Sequence, residues 1–281
     1  MPPPTVSVGD PRSAGPFLVR RIDYPPGLRQ TTHYHDLSSL TILLAGEIRE
    51  SARSREVTGS ALSVVVKPAG TRHADEVGPR GARTLQVTFD PADAATLDGG
   101  SAVLHGWQWL HASPAVAPLV ALARLLAEET RAGERAAGPS GGREPASHVC
   151  DVTREERVIE AVAALGWPET ARRGPVPDWL VRVREALDEE LEAGVDVREL
   201  ARRVGAHPVS VSRAFRRHYG RTISDYRRRE RVRRAAVRLA ESSSSISRIA
   251  HGTGHADHPH LCREFRRATG LSPSAFRRLA G

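Results

Sequence analysis

"LARRVGAHPVSVSRAFRRHYGRTISDYRR" runs from Leu200 to Arg228, and "IAHGTGHADHPHLCREFRRATGLSPSAFRR" from Ile249 to Arg278. The two stretches are one pattern written twice. Each has an apolar residue followed by Ala, a Gly four residues beyond that Ala, and a Pro. Each continues with Arg–x–Phe–Arg–Arg, another Gly, a Ser, an aromatic and a closing Arg–Arg. The offset is 49 residues up to Gly205/Gly254 and 50 from Arg213/Arg263 onward, so the second copy carries one extra residue in its turn.

The pattern encodes a helix-turn-helix. Ala201 and Ala250 are small enough for two helices to cross closely. Gly205 and Gly254 end the first helix in a turn where positive φ costs glycine little. Pro208 suits the first position of the next helix, where its missing N–H is no loss. Asp257 is placed to cap the matching helix of the second copy, with Pro259 in its first turn. Phe215 and Phe265 bury against the preceding helix, which turns the arginines outward. Asp196 with Glu199, and Thr222 with Asp225, show capping-box spacing at two further helix starts.

The second copy also packs His251, His255, His258, His260 and Cys262 into twelve positions. A structural zinc site uses four ligands, usually with cysteines paired at short spacing. Here there is one cysteine, and the Gly-Thr-Gly between His251 and His255 breaks the helix that would align an i, i+4 pair. The cluster reads instead as the turn and recognition helix of a DNA reader.

These residues resemble the DNA-binding domain of the AraC/XylS family of transcription regulators. The resemblance rests on "ELARRVGAHPVSVSRAFRRHYG", "ISDYRRRERVRRAAVRLA" and "SISRIAHGTGHADHPHLCREFRRATGLSPSAFRR", about the last hundred residues. His255 departs from it, standing where an aromatic is usual, and so does Pro259, where a small polar residue is common. The resemblance implies two recognition helices joined by a rigid helix at about 223–240, whose roughly 18 residues span about 27 Å. That length suits two major-groove visits about one helical turn apart. By position, Val209, Ser212 and Arg213 face bases from the first helix, and His258, His260, Cys262 and Arg263 from the second. Arg213 and Arg263 lead this group because guanidinium pairs bidentately with guanine. Arg216, Arg217, Arg266 and Arg267 lie a turn further on and are expected at phosphates.

Charge placement agrees. From Pro175 onward there are 22 arginines against 13 acidic residues, while the preceding part carries 19 basic and 20 acidic residues. A neutral half joined to a cationic half points to a polyanion partner for the latter. The 281 residues suffice for two domains, and 40% apolar content excludes wholesale disorder. No run approaches a membrane span, and "MPPPTVSVGDPRSAG" lacks signal-peptide architecture, so a cytoplasmic location is expected. Two cysteines, Cys150 and Cys262, form neither a disulfide framework nor a CxxC pair.

Residues 17–90 read as short strands: "LTILLAG", "LSVVVKPAG" and "LQVTFD" are separated by Gly/Pro/Ser turns. A helix follows at 117–133, then a loop at "GPSGGREP" (138–145), then a helix opening at Thr153 and Glu156. "PETARRGPVP" (168–177) reads as the linker. Leu180, Val183, Leu187 and Leu191 then hold one helix face. "GLRQTTHYHDLSSLTILLAG" (27–46) and "PAGTRH" (68–73) are similar to the two short motifs of cupin barrels, G-x5-H-x-H-x3-E-x6-G and P-x-G-x2-H. Ser39 stands where the metal-binding Glu should be. Three imidazoles remain, and Asp75 or Glu76 is near enough in sequence to substitute. We read His33, His35 and His73 as an effector pocket or barrel packing without metal, and Trp107 and Trp109 as packing on one face.

The expectation is an α+β chain: a cupin-like β-barrel sensor and dimerisation domain (1–112), a helical connector and linker (113–177), and an all-α double helix-turn-helix domain (178–281). It is a transcription regulator, not an enzyme, and needs no cofactor. By the resemblance, its partners are double-stranded DNA, a small-molecule effector, RNA polymerase if it activates, and a second copy through the N-terminal domain. The competing reading is a metal-dependent cupin enzyme with a DNA-binding appendage; the missing Glu and the lack of other catalytic constellations argue against it.

Overall fold

Two long strands, β5 (Ser38–Ala52) and β8 (His73–Phe89), organise the N-terminal domain in the computed structural model, which describes residues 5–92, 102–111, 113–136, 148–166, 176–191 and 196–281. They pair antiparallel from Ser38↔Phe89 to Ser51↔Ala74, with register shifts on either side of Ala45 and Gly46. Short strands were expected here; the ribbon is instead 15 and 17 residues long and bends. Gly46 and Gly81 make the bend possible. Both have positive φ, and a Cβ on Gly46 would sit 1.9 Å from the Gly81 carbonyl oxygen.

The remaining strands are β1 (Ser7–Val8), β2 (Arg12–Ala14), β3 (Phe17–Tyr24), β4 (Arg29–His33), β6 (Arg55–Ser60), β7 (Val64–Lys67) and β9 (Gln108–Leu110). The sheet order is β1-β3-β8-β5-β7-β9, antiparallel throughout; β2 joins β3, β4 joins β8 and β6 joins β5. Side chains alternate along each strand. Leu40, Ile42 and Leu44 therefore enter one core, and Leu43 and Ile48 another. The second core lies within the bent sheet with Val65, Val77, Trp107 and Trp109. That double burial explains why "LTILLAG" reads as an unbroken apolar run. The domain is a bent antiparallel sheet, and the whole chain is α+β.

The helices follow in chain order. They are α1 (Val116–Ala136) and α2 (His148–Gly166), followed by α3 (Asp178–Glu189), α4 (Val197–Arg203) and α5 (Pro208–Tyr219). The long α6 (Ile223–Glu241) leads to α7 (Ile246–His251), α8 (His258–Thr269) and α9 (Pro273–Ala280). α2 begins at His148, so Thr153 lies inside it and not at its start. The "GPSGGREP" loop and the linker before Val176 fall outside the described residues.

The two helix-turn-helix copies differ in what they pack on. Leu180, Val183, Leu187, Leu200, Val211, Phe215 and Ile223 form a self-contained core for α3, α4, α5 and the start of α6. The second copy shares its core with the sheet domain. Phe265, Phe276, Leu261 and Leu239 belong to one apolar cluster with Leu119 of α1, Val158 of α2, and Leu40 and Leu44 of β5.

Candidate nucleic-acid interface

The helices expected to read DNA are built as their sequences demand. His207 caps α5, its Nδ1 accepting from Val209 N at 3.3 Å, with Pro208 at the first position. Asp257 caps α8, its Oδ1 accepting from His260 N at 2.6 Å. Each helix ends on a left-handed glycine, Gly220 and Gly270. Phe215 and Phe265 are fully buried and edge against Tyr226 and Phe276 respectively. Between the copies, α6 is 19 residues long, about 28 Å.

Partnering sorts the arginines. Arg202 and Arg203 bind Glu199, Arg228 faces Asp225 and Glu264, and Arg233 pairs with Glu230. Arg231 and Arg277 donate to the backbone oxygens of Leu191 and Ser244. These side chains hold the domain together. Arg213, Arg216, Arg263, Arg266 and Arg267 are exposed and have no hydrogen-bond or ion-pair partner among the described residues. Such a row is what a polyanion would neutralise.

Val209, Ser212, Arg213 and Arg216 recur at i, i+3, i+4 and i+7 on the face of α5 opposite Val211 and Phe215. On α8, His258, Arg263 and Arg266 are exposed and Cys262 partly so. His260 is different. Its Nδ1 accepts from Ala256 N at 3.2 Å, and its Nε2 lies 3.5 Å from Glu264. The Nδ1 bond supports the helix start, and 34% of the side chain remains exposed. His255 is buried, its Nδ1 2.9 Å from the Thr253 hydroxyl. Burial, with His260 and Arg231 nearby, lowers its pKa to about 4. Arg217 is exposed on α5, and Arg267 borders a cavity against the sheet domain.

In the sheet domain the three histidines come together, with ring centroids 4.3–5.3 Å apart. β4 ends at His33, so His35 reaches the cluster from the segment after the strand and not from the strand itself. Register supplies the rest: His33 pairs with His73. His33 Nδ1 lies 2.8 Å from the Thr31 carbonyl and His73 Nδ1 2.9 Å from that of Thr71. Those bonds place the protons on Nδ1 and leave each Nε2 with a bare lone pair. Asp75 Oδ2 sits 4.0 Å and 3.6 Å from the two Nε2 atoms. His33, His35 and His73 are thus a donor set that fits a transition-metal ion, with Asp75 beside His33 and His73. Burial and the Lys67 ammonium lower the His73 pKa to about 4, keeping its ring neutral. Ser39 is buried on β5.

Sequence reading missed the polar interior beside these histidines. Glu50 is fully buried, accepts from Trp107 Nε1 at 2.7 Å and lies 3.3 Å from Lys67 Nζ. Burial raises its pKa. Lys67 is the chain's one lysine and stands next to the Pro68 turn, a signal that could have marked it. The adjoining cavity is only about 20 Å³, room for a water and not for an organic molecule. Neither His33, His35 nor His73 lines it.

Residues 200–279 match a helix-turn-helix domain family. The chain is 30% identical over 185 residues to the HTH-type transcriptional regulator GlxA of Rhizobium meliloti, covering 66% of this chain and 51% of that protein. It is 30% identical over 100 residues to the arabinose operon regulatory protein of Escherichia coli, covering 34% of each. An AraC-type DNA-binding domain-containing regulator from Chromobacterium violaceum aligns in structure with a TM-score of 0.36 at 23% identity, over 37% of this chain and 92% of that one. The chain spans about half the length of the first relative and about a third of the second. Its C-terminal part is a helix-turn-helix domain, similar to those of these regulators, carried behind an antiparallel sheet.

Proposed function

We propose that the chain is a sequence-specific DNA-binding transcription regulator whose N-terminal domain senses an effector and whose residues 178–281 read DNA. The observation that carries this is the sorting of arginines: many are bound to acids or carbonyls, while Arg213, Arg216, Arg263 and Arg266 on the outer faces of α5 and α8 are left for a partner. Phosphate contacts from Arg216, Arg217, Arg266 and Arg267 supply affinity and salt dependence. Val209, Ser212, Arg213, His258, Cys262 and Arg263 supply sequence choice, with the Val209 side chain, 48% exposed, suited to a thymine methyl. Selection of bound sequences from a random duplex library by the full-length protein tests the reading. It predicts a two-part motif, its halves about one helical turn apart; enrichment of no motif would refute it.

The His33, His35 and His73 set favours one further reading, a metal-dependent enzyme with a DNA-binding appendage. Metal analysis of the purified protein separates the two: stoichiometric metal, lost on substituting the three histidines together, supports the enzyme. A regulator without metal keeps its DNA affinity in that triple variant.

A further inference from the structure

The sequence of α8 contains one acidic residue, Glu264, and that of α5 contains none. A carboxylate on a helix offered to a polyanion works against binding, since it repels phosphate. The matching position of the first copy is Ala214, and the residues matching His255 and His260 are Ala206 and Ser210. Only the second copy sets an acid among imidazoles.

Glu264, with 18% of its side chain exposed, gathers groups from three places. Its Oε1 lies 3.5 Å from Arg228 Nε of α6 and 3.5 Å from His260 Nε2 in the first turn of α8. His260 faces it with a proton, because Nδ1 accepts from Ala256 N and the ring hydrogen is therefore on Nε2. Oε2 rests 3.5 Å from Nε2 of His255 in the preceding turn. That ring is a fixed wall: its side chain is fully buried, its Nδ1 is 2.9 Å from the Thr253 hydroxyl, and its backbone N–H donates to the Ala250 carbonyl at 3.0 Å. Arg228 is steadied in turn by Asp225 at 3.6 Å. The first copy meets α6 by an apolar contact, the Phe215 ring against Tyr226.

We propose that Glu264 is a positioning residue for DNA reading: it ties α8 to α6 and to the turn, and so sets base preference in the second half of the motif. The role rests on the function proposed above. Arg263, the next residue back, is exposed and has no partner among the described residues. A bidentate guanidinium–guanine contact is directional, so a small rotation of α8 about its axis takes Arg263 off its base. Burial of Phe265 fixes how deeply α8 packs but is indifferent to direction. A carboxylate set between a guanidinium and an imidazole N–H supplies the missing direction.

The test uses the full-length protein and the duplex it selects from a random library, with either half of the selected motif scrambled in turn. Fluorescence anisotropy gives the Kd ratio of each scrambled duplex to the selected one, and circular dichroism checks that each variant folds. Glu264→Ala should lose about tenfold of the discrimination against the second-half scramble and keep its discrimination against the first. Glu264→Gln drops the charge but leaves an oxygen acceptor in place, and should recover most of the loss. Arg228→Ala should reproduce the Glu264→Ala pattern, and the double variant should add little to either; should Glu264→Ala fail to fold, Arg228→Ala carries the test. An equal loss in Glu264→Gln marks an effect of charge alone and overturns the role. So does a loss spread over both halves, which marks general loosening, and so does full additivity with Arg228→Ala. A parent protein that selects a motif, beside a Glu264→Ala variant that discriminates as well, refutes the positioning role and leaves DNA reading intact. A parent that selects no motif refutes the DNA-reading function itself.

Discussion

The two helix-turn-helix units share a sequence pattern but not a setting. The first closes its own core around Phe215, and α6 joins that core near its beginning through Ile223 and Tyr226. The second has no core of its own: Phe265 and Phe276 sit in the same apolar cluster as α1, α2 and the outer sheet face. Polar contacts follow the same division. Arg83 of β8 donates to the Ala280 carbonyl, Arg80 pairs with Glu241 at 2.6 Å, and Arg233 reaches Ser60, all tying the second unit to the sheet. A duplicated motif has thus been used once as a unit with its own core and once as part of the wall of the sheet domain.

The most severe way to break this comparison is to remove one buried phenyl ring from each copy. Phe265→Ala and Phe215→Ala should each cost about 3–5 kcal/mol locally. Phe265→Ala should lower the unfolding midpoint of the sheet domain as well, whereas Phe215→Ala should leave it in place and loosen only α3–α5. Urea melts followed together with hydrogen exchange resolve the two; equal effects on the sheet would mean that the cores are not distinct.

DNA reading provides the next contrast. Arg213→Ala and Arg263→Ala should each cost about 1–3 kcal/mol on the preferred sequence and relax one base position. If Arg213→Ala weakens preferred and scrambled duplexes alike, the first helix does not read bases through that side chain.

Acid should separate the copies too. His255 has no counterpart in the first copy, where Ala206 follows the turn glycine. Its folded-state pKa of about 4 lies below the ordinary 6.5. The unfolded chain therefore binds the proton more tightly, and stability present above pH 6.5 is lost as pH falls toward 4. His73 adds a loss of the same sign in the sheet domain. Thermal midpoints at about pH 7 and about pH 5 should draw apart less in His255→Gln than in the parent; an unchanged difference would mean that His255 is not the source.

The smallest effect is expected at the phosphates. Arg217→Ala should weaken all duplexes about evenly and lower the salt slope by about one. Arg267→Ala, at the matching position of the second copy, should do the same.

What could be read from sequence was what is local. The turn glycines, the caps at Asp196, Thr222 and Asp257, and the buried Phe215 and Phe265 depend on residues within a few positions of one another. So does the extent of α6, expected at about 223–240 and found at Ile223–Glu241. The bend at Gly46 and Gly81, by contrast, needs two strands brought together across 35 residues. Without that register nothing marks Glu50 as buried beside Lys67, or shows Asp75 aimed at His33 and His73. The union of the second unit with the sheet was equally hidden, because the same apolar stripe on α6 would serve a free-standing domain.

The length of α6 has a mechanical result. One end is clamped by Val232, Ala235, Ala236 and Leu239 in the core shared with the sheet, while the other carries the first unit through Ile223 and Tyr226. A rod of about 28 Å pivoting by about 5° displaces its far tip by about 2.5 Å. That is most of the rise of one base-pair step along B-DNA, about 3.4 Å. A repacking too slight to disturb either fold would therefore slide one reading head along the duplex relative to the other, turning a small change in wall packing into a change of which spacing between half-sites fits.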